Sequence, residues 1–179
     1  MSTVLKEITA DKLDMNVIQA IGKEWMLVTS GNQQSFNMMT ASWGFAGFIW
    51  GLPATAIVIR PSRYTKEFID KNNTFTLSFF PDKYKSILSK LGSESGRDIN
   101  KMTESGLTPI QLPTGDMTYE EATITIACRV MYAQPMSEKG FIDSTLMPKW
   151  YPLGASDLHT LYIGEIQAIY EKGKSGIFG

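Results

Sequence analysis

Cysteine and histidine occur once each in the 179 residues, as Cys128 and His159. A lone cysteine excludes an internal disulfide. One cysteine with one histidine excludes a Cys/His zinc or copper cluster. No Asp-x-Asp run or EF-hand loop offers a carboxylate site instead, so no metal is expected. An excess of one charge is lacking too. The formal net charge is −1, which leaves no electrostatic footprint for nucleic acid or an anionic membrane. No apolar run reaches bilayer-spanning length, and the opening MSTVLKEITADKLD lacks the apolar stretch of a signal peptide. The expectation is a cytoplasmic protein with neither a nucleic-acid nor a membrane partner. If it is an enzyme, its chemistry comes from an organic cofactor or needs little acid–base help.

What is present describes an ordinary globular chain. Hydrophobic residues make up 43% and charged residues 20%, and the length suits one domain with a substantial core, taken as 1–179. There is no repeat, low-complexity tract or long linker. Residues 1–24 read as a lead-in with a short helix or turn near Asp11–Gly22. Trp25–Ser30 is apolar, β-branched and stopped by GNQQ, which predicts a strand, then a turn and a second strand. That second strand or extended chain runs from Phe36 into ASWGFAGFIWG. Ala54–Arg60 predicts a buried strand ended by Pro61. A helix follows with Ser62 as its N-cap. Thr74–Phe80 alternates like a strand, and DKYKSILSKLG reads as an amphipathic helix closed by Gly92. GSESGRD then enters a short helix capped by Asp98. Met117–Met136 predicts one long strand, and TLYIGEIQAIYEKG a last one. The stretch between them, Ser137–Asp157, has little periodicity. Strands outnumber helices and do not alternate with them. The fold class expected is mainly β with short helices, an antiparallel barrel with helical insertions.

Three stretches carry candidate chemistry. In NMMTASWG, Asn37–Gly44, small hydroxyl residues sit between methionines and a tryptophan. Thr40 and Ser42 either face solvent on an edge strand or line a ligand. In RPSRYT, Arg60 ends a strand, and Arg63 and Thr65 begin a helix. Two guanidiniums and a hydroxyl at a helix N-terminus suit a phosphate. The alternative is a salt bridge at Arg60 and a solvated Arg63. GSESGRD has the glycines and hydroxyls to wrap an anion, yet it matches neither phosphate-binding glycine pattern and reads equally well as a helix end and a loop.

NMMTASWG, RPSRYTKEFI, FTLSFF, GSESGRD, ACRVMYAQ and HTLYIGEI, in this order from about Trp25 to Ile166, resemble the flavin reductase-like, FMN-binding split-barrel family, and within it the flavoredoxin-type branch. The resemblance implies a split β-barrel of Greek-key-like antiparallel strands and bound FMN. It implies that Asn37, Met39, Thr40, Ala41, Ser42 and Trp43 line the flavin ring. It makes Arg60, Arg63, Tyr64 and Thr65 candidates for the phosphate and ribityl chain, and Leu77, Ser78 and Phe79 for the ring or ribityl from the neighbouring strand. Ser95, Gly96, Arg97, Asp98 and Lys101 become a loop closing over the cofactor. It also implies a homodimer with the flavin near the interface, which the apolar cluster Phe45, Phe48, Ile49 and Trp50 would suit.

The implied activity is an oxidoreductase that passes electrons through FMN, with NAD(P)H as a transient donor, or an electron carrier between redox protein partners. A non-catalytic flavin-binding module is the remaining alternative. No catalytic side chain is assigned, since hydride transfer to a flavin needs alignment more than proton handling. His159 is a candidate near the ring, with a structural role as the alternative. Cys128, in mid-strand, is expected to be buried and inert, and Glu165 to be an outward strand residue or ion-pair partner. The KWYP segment, Lys149–Pro152, either shapes an acceptor pocket or covers the barrel mouth.

Overall fold

The computed structural model describes residues 5–173. The two ends of the expected 1–179 domain lie outside the described residues. The strands are β1 Leu5–Ile8, β2 Met26–Asn32, β3 Ser35–Ala41, β4 Gly44–Ile49, β5 Leu52–Ile59, β6 Thr74–Phe79, β7 Pro109–Gln111, β8 Met117–Tyr119, β9 Ile124–Pro135 and β10 Thr160–Lys172. The helices are α1 Val17–Gln19, which runs on into a π-helical turn, α2 Tyr64–Asn72, α3 Lys85–Ser93, α4 Lys101–Ser105 and α5 Leu146–Trp150.

Eight strands form one antiparallel sheet in the order β3-β2-β6-β9-β10-β5-β4, with β1 pairing the far end of β10. The two edge strands, β3 and β4, are consecutive in sequence and joined only by Ser42 and Trp43. A linker that short forces the sheet to curl until its edges nearly meet. Among the described residues no ladder joins β3 to β4, so the ring stays split at that seam. The mainly antiparallel β architecture with short helices is the one expected.

The curl encloses one face. Met26, Val28, Met39, Ile57, Phe75, Leu77, Phe79, Ile126 and Tyr162 are buried together inside it. A second core forms outside β2 and β3, where Leu27 and Met38 pack with Leu88 and Leu91 of α3. Burial on both faces is why the β2 segment reads as a continuous apolar run. The short β7–β8 ribbon covers the outside of β6 and β9. Gly164 of β10 is needed for packing, since a Cβ there would stand 2.7 Å from the Phe75 ring.

Several local expectations are corrected. The predicted strand Met117–Met136 breaks after Tyr119, where a turn (Ala122 N–H to Tyr119 O, 3.1 Å) redirects the chain from β8 into β9. The N-cap of α2 is Arg63, in extended backbone and without a side-chain cap, not Ser62. Asn100, not Asp98, caps α4 by accepting from the Met102 and Thr103 amides. Gly92 lies inside α3, which ends after Ser93. It is small because a Cβ would press on Thr40 at 3.2 Å. Cys128 is buried beside Thr55, and burial pushes its thiol up to about 12. Glu165 pairs with Arg129.

Candidate active site

Two chambers meet at the open seam. The first, about 290 Å³, is lined by Thr40, Ala41, Ser42, Trp43, Val58, Trp150 and His159. The second, about 270 Å³, is lined by Asn37, Ser62, Tyr64, Thr65, Ser93, Glu94, Ser95, Gly96 and Lys101. Met39, Arg60 and Arg63 line both, which makes them one continuous cleft.

The wall common to both chambers is β3, an edge strand with its free side turned to the cleft. Met38 O accepts from Lys101 Nζ at 2.9 Å, so that carbonyl points away from β2. Backbone groups alternate along a strand, which puts the Thr40 amide and carbonyl on the same free side. Thr40 Oγ1 is itself used, donating to Leu88 O at 2.6 Å. The strand thus offers a flat ligand unpaired backbone donors and acceptors, with Trp43 at the turn beyond. Trp43 meets the Trp150 ring edge-on at 5.1 Å between centroids and lies 5.1 Å from His159.

Three cations line the cleft. Arg60 is held by the Asp157 carboxylate, donates to Trp150 O at 2.9 Å, and lies over the Tyr151 ring. Arg63 donates to Gly92 O at 2.6 Å and has no carboxylate partner among the described residues. Burial and the nearby Arg60 charge both lower its pKa. Lys101 is buried, and its ammonium donates to Met38 O and Leu91 O, leaving its third hydrogen over. Burial and the Arg63 charge bring its pKa from 10.5 to about 8, with Glu94 opposing. His159 is buried and pushed down to about 4 by burial and then by Arg60 and Arg63, so it is neutral at pH 7. A buried cation without a counter-ion is costly. Arg63 and Lys101 together are a donor set that calls for an anion. Asn37, which donates to Thr65 Oγ1 at 2.8 Å, and Gly96, packed so closely on Asn37 that a Cβ would strike its side-chain oxygen, complete the second chamber. A flat ring with a phosphate tail fits this set: a chamber walled by β3, Trp43, Trp150 and His159 at one end, Lys101 at the other, and Arg63 between them, neither of the two cations in a salt bridge among the described residues.

Of the residues singled out from the sequence, Asn37, Met39, Thr40, Ala41, Ser42, Trp43, Arg60, Arg63, Tyr64, Thr65, Ser95, Gly96, Lys101 and His159 are brought together here. Five are not. Leu77 and Phe79 point into the core that the curled sheet encloses. Ser78 points out of the opposite face, where it bonds Thr118 at 3.0 Å. Alternation along β6 turns all three away from the cleft. Arg97 and Asp98 line neither chamber but an adjoining cavity that shares Asn37, Tyr64, Gly96 and Lys101 with the second, and Arg97 is paired with Glu67 and Ser62 O. The Ser137–Asp157 stretch reaches the cleft through Trp150, Tyr151 and Asp157. Only its KWYP segment signalled this in the sequence. No group of acidic, histidine or cysteine side chains among the described residues could hold a metal. No helix among them is long and apolar enough to cross a membrane.

Residues 18–176 match the family described as the flavin reductase like domain. The fold is similar to that of an FMN-binding domain of a flavin reductase-like enzyme from Shewanella baltica, with a TM-score of 0.69 at 16% identity over 96% of this chain and 79% of that one. It is also similar to flavoredoxin from Methanosarcina acetivorans, with a TM-score of 0.66 at 18% identity over 96% and 78% of the two chains. Flavoredoxin of Desulfovibrio vulgaris (Miyazaki F) gives 0.65 at 20% identity over 94% and 78%. No curated protein sequence matches.

Proposed function

The chain belongs to the flavin reductase like domain family, and from that premise we propose that it binds FMN in the seam cleft and passes electrons through it from a nicotinamide or protein donor to an acceptor. The observation that carries this is the pair Arg63 and Lys101, bonded only to backbone carbonyls in the cleft that β3 walls. When bound, FMN supplies the hydride and single-electron chemistry that these side chains lack. Arg63 and Lys101 would hold the phosphate. The free edge of β3 at Thr40 would hydrogen-bond the polar side of the ring. Trp43 and Trp150 flank the slot and keep water from it. Reduction adds negative charge to the ring, and Arg60 and His159 stand beside the chamber where that charge would appear.

A homodimer belongs to the same reading. Phe48 and Trp50 of the β4–β5 hairpin are 74% and 59% exposed. Trp50 and Gly51 make its two-residue turn with φ of 53 and 76°, a conformation that strains a tryptophan. A second copy covering this hairpin would bury that surface close to the seam. The carrier alternative draws on the two flavoredoxins among the similar structures.

The test is an absorbance spectrum of the purified protein, then anaerobic addition of NADH and NADPH. A flavin band that bleaches within seconds supports a nicotinamide-dependent reductase. A band that stays oxidised with both points to a carrier reduced by a protein partner. Failure of the protein to retain or rebind FMN overturns the reading.

A further inference from the structure

His159 and Tyr151 form a pair with no part in holding a phosphate. His159 immediately precedes β10, and its carbonyl accepts from the Met136 amide at 2.8 Å, which fixes its backbone. The imidazole lies beside Trp43 at 5.1 Å and lines the first chamber. Its Nδ1 stands 2.8 Å from the Tyr151 hydroxyl. That hydroxyl has one proton and two neighbours: Nδ1, and the Met136 sulfur at 3.9 Å. A ring nitrogen is far the better acceptor at far the shorter distance. Tyr151 therefore donates to Nδ1, and the imidazole proton resides on Nε2. No side-chain nitrogen or oxygen among the described residues is both fully buried and unpartnered. Nε2 has no protein partner among them, so it is open to the chamber.

We propose that Tyr151 is a positioning residue that fixes the His159 proton on Nε2, making the imidazole a neutral hydrogen-bond donor to a carbonyl oxygen of the flat ring held in the first chamber. The tautomer follows from the protein alone; the ligand rests on the FMN reading above. A donor of this kind strengthens its bond as the acceptor oxygen gains negative charge. The charged groups facing the pair are Arg60, with its partner Asp157, and Arg63. Burial, and then the two cations, keep the ring from protonating, so it remains a donor with a lone-pair acceptor at Nδ1 across the neutral range.

His159 is the chain's one histidine, so imidazole ¹⁵N signals are unambiguous. The experiment is a two-bond ¹H–¹⁵N correlation spectrum of the labelled protein at pH 6 to 8. The expected pattern is one neutral tautomer protonated at Nε2, becoming a mixture in Tyr151→Phe. A proton on Nδ1, or a cationic ring at pH 6, overturns the proposal. The second arm compares the midpoint potential of bound FMN in the wild type, His159→Leu and His159→Gln. His159→Leu is expected to weaken binding of reduced relative to oxidised FMN about tenfold, a drop of ~30 mV for a two-electron couple, with His159→Gln restoring part of it. Wild type that binds FMN while His159→Leu leaves the potential unchanged overturns the donor role. Wild type that binds no FMN overturns the ligand half together with the reading on which it rests.

Discussion

Two polar regions flank the same sheet, one under the β7–β8 ribbon and one at the free edge of β3. Between the sheet and the β7–β8 ribbon, Thr29 pairs with the Tyr119 hydroxyl at 2.9 Å, Thr76 donates to Met117 O at 2.7 Å, and Ser78, Thr118 and Thr125 bond one another. Every one of these groups finds its partner within the chain. In the seam cleft, by contrast, Lys101 and Arg63 bond only to carbonyls and keep donors in hand. Buried polarity that is satisfied internally holds structure together. Polarity with surplus donors, where burial and a neighbouring arginine lower the pKa of both Lys101 and Arg63, is set up for something not in the chain.

The sharpest break of that comparison is Lys101→Met. In the cleft it should cut FMN affinity by about 1.5–3 kcal/mol, the worth of a hydrogen bond to a charged group, while stability without FMN holds or rises because a buried charge is gone. Arg63→Ala should weaken FMN by a similar amount. Flavin fluorescence titration alongside thermal melts reads both quantities, and unchanged affinity in either variant would sink the phosphate assignment. The mirror experiment is Tyr119→Phe. It leaves the buried Thr29 hydroxyl without its partner and should cost about 1–2 kcal/mol of stability, with FMN affinity unmoved. A loss of affinity there would mean that the two regions are coupled after all.

A smaller effect comes from pH. Burial holds the folded pKa of Lys101 near 8, below its usual 10.5. Between those values the unfolded chain binds the proton and the folded one does not, so Lys101 makes stability rise with pH from about 8 to 10.5. Its destabilising contribution is fully present below 8. FMN affinity should run the other way and fall as pH climbs through 8, since the phosphate needs the ammonium. Titrations at pH 7 and 9 on wild type and Lys101→Met check this, and an equal fall in the variant would remove Lys101 as the cause.

How far the sequence foretold this molecule depends on the range of the signal. The strands β5, β6 and β10 stand out because composition and alternation are local. The segments that line the first and second chambers were legible as motifs because each is short and contiguous: Met39–Trp43, and Arg60 with Arg63–Thr65. The helix caps were misplaced because Ser62 and Asp98 are good capping residues one and two positions from the ones used, and only backbone geometry decides between them. The resemblance implies Ser78 as a cofactor contact, yet a buried strand serine has two possible partners, a ligand or a crossing ribbon. Nothing in β6 itself reveals that β8 lies over it. Asp157 carries no signal and Tyr151 only that of the KWYP segment, since their roles depend on a stretch without periodicity folding back onto Arg60 and His159.

The smallest expected effect is also the most discriminating for the loop. The resemblance implies that Arg97 belongs to a loop closing over the cofactor. In the structure it leans on the Tyr64 ring and pairs with Glu67 at the surface, with Ser62 O taking a further hydrogen bond. It faces a cavity on the outer side of the loop, while Gly96 and Asn37, pressed together, form the wall between. An exposed pair of this kind contributes only about 0.2–1 kcal/mol to stability, and a guanidinium already paired and solvated adds little at a distance. Arg97→Ala should therefore change FMN affinity by less than about 0.5 kcal/mol, under the same titration that registers Arg63→Ala as a large loss. If the two arginines proved equal, the loop would have to swing inward when FMN binds, and the cleft would be completed by its ligand.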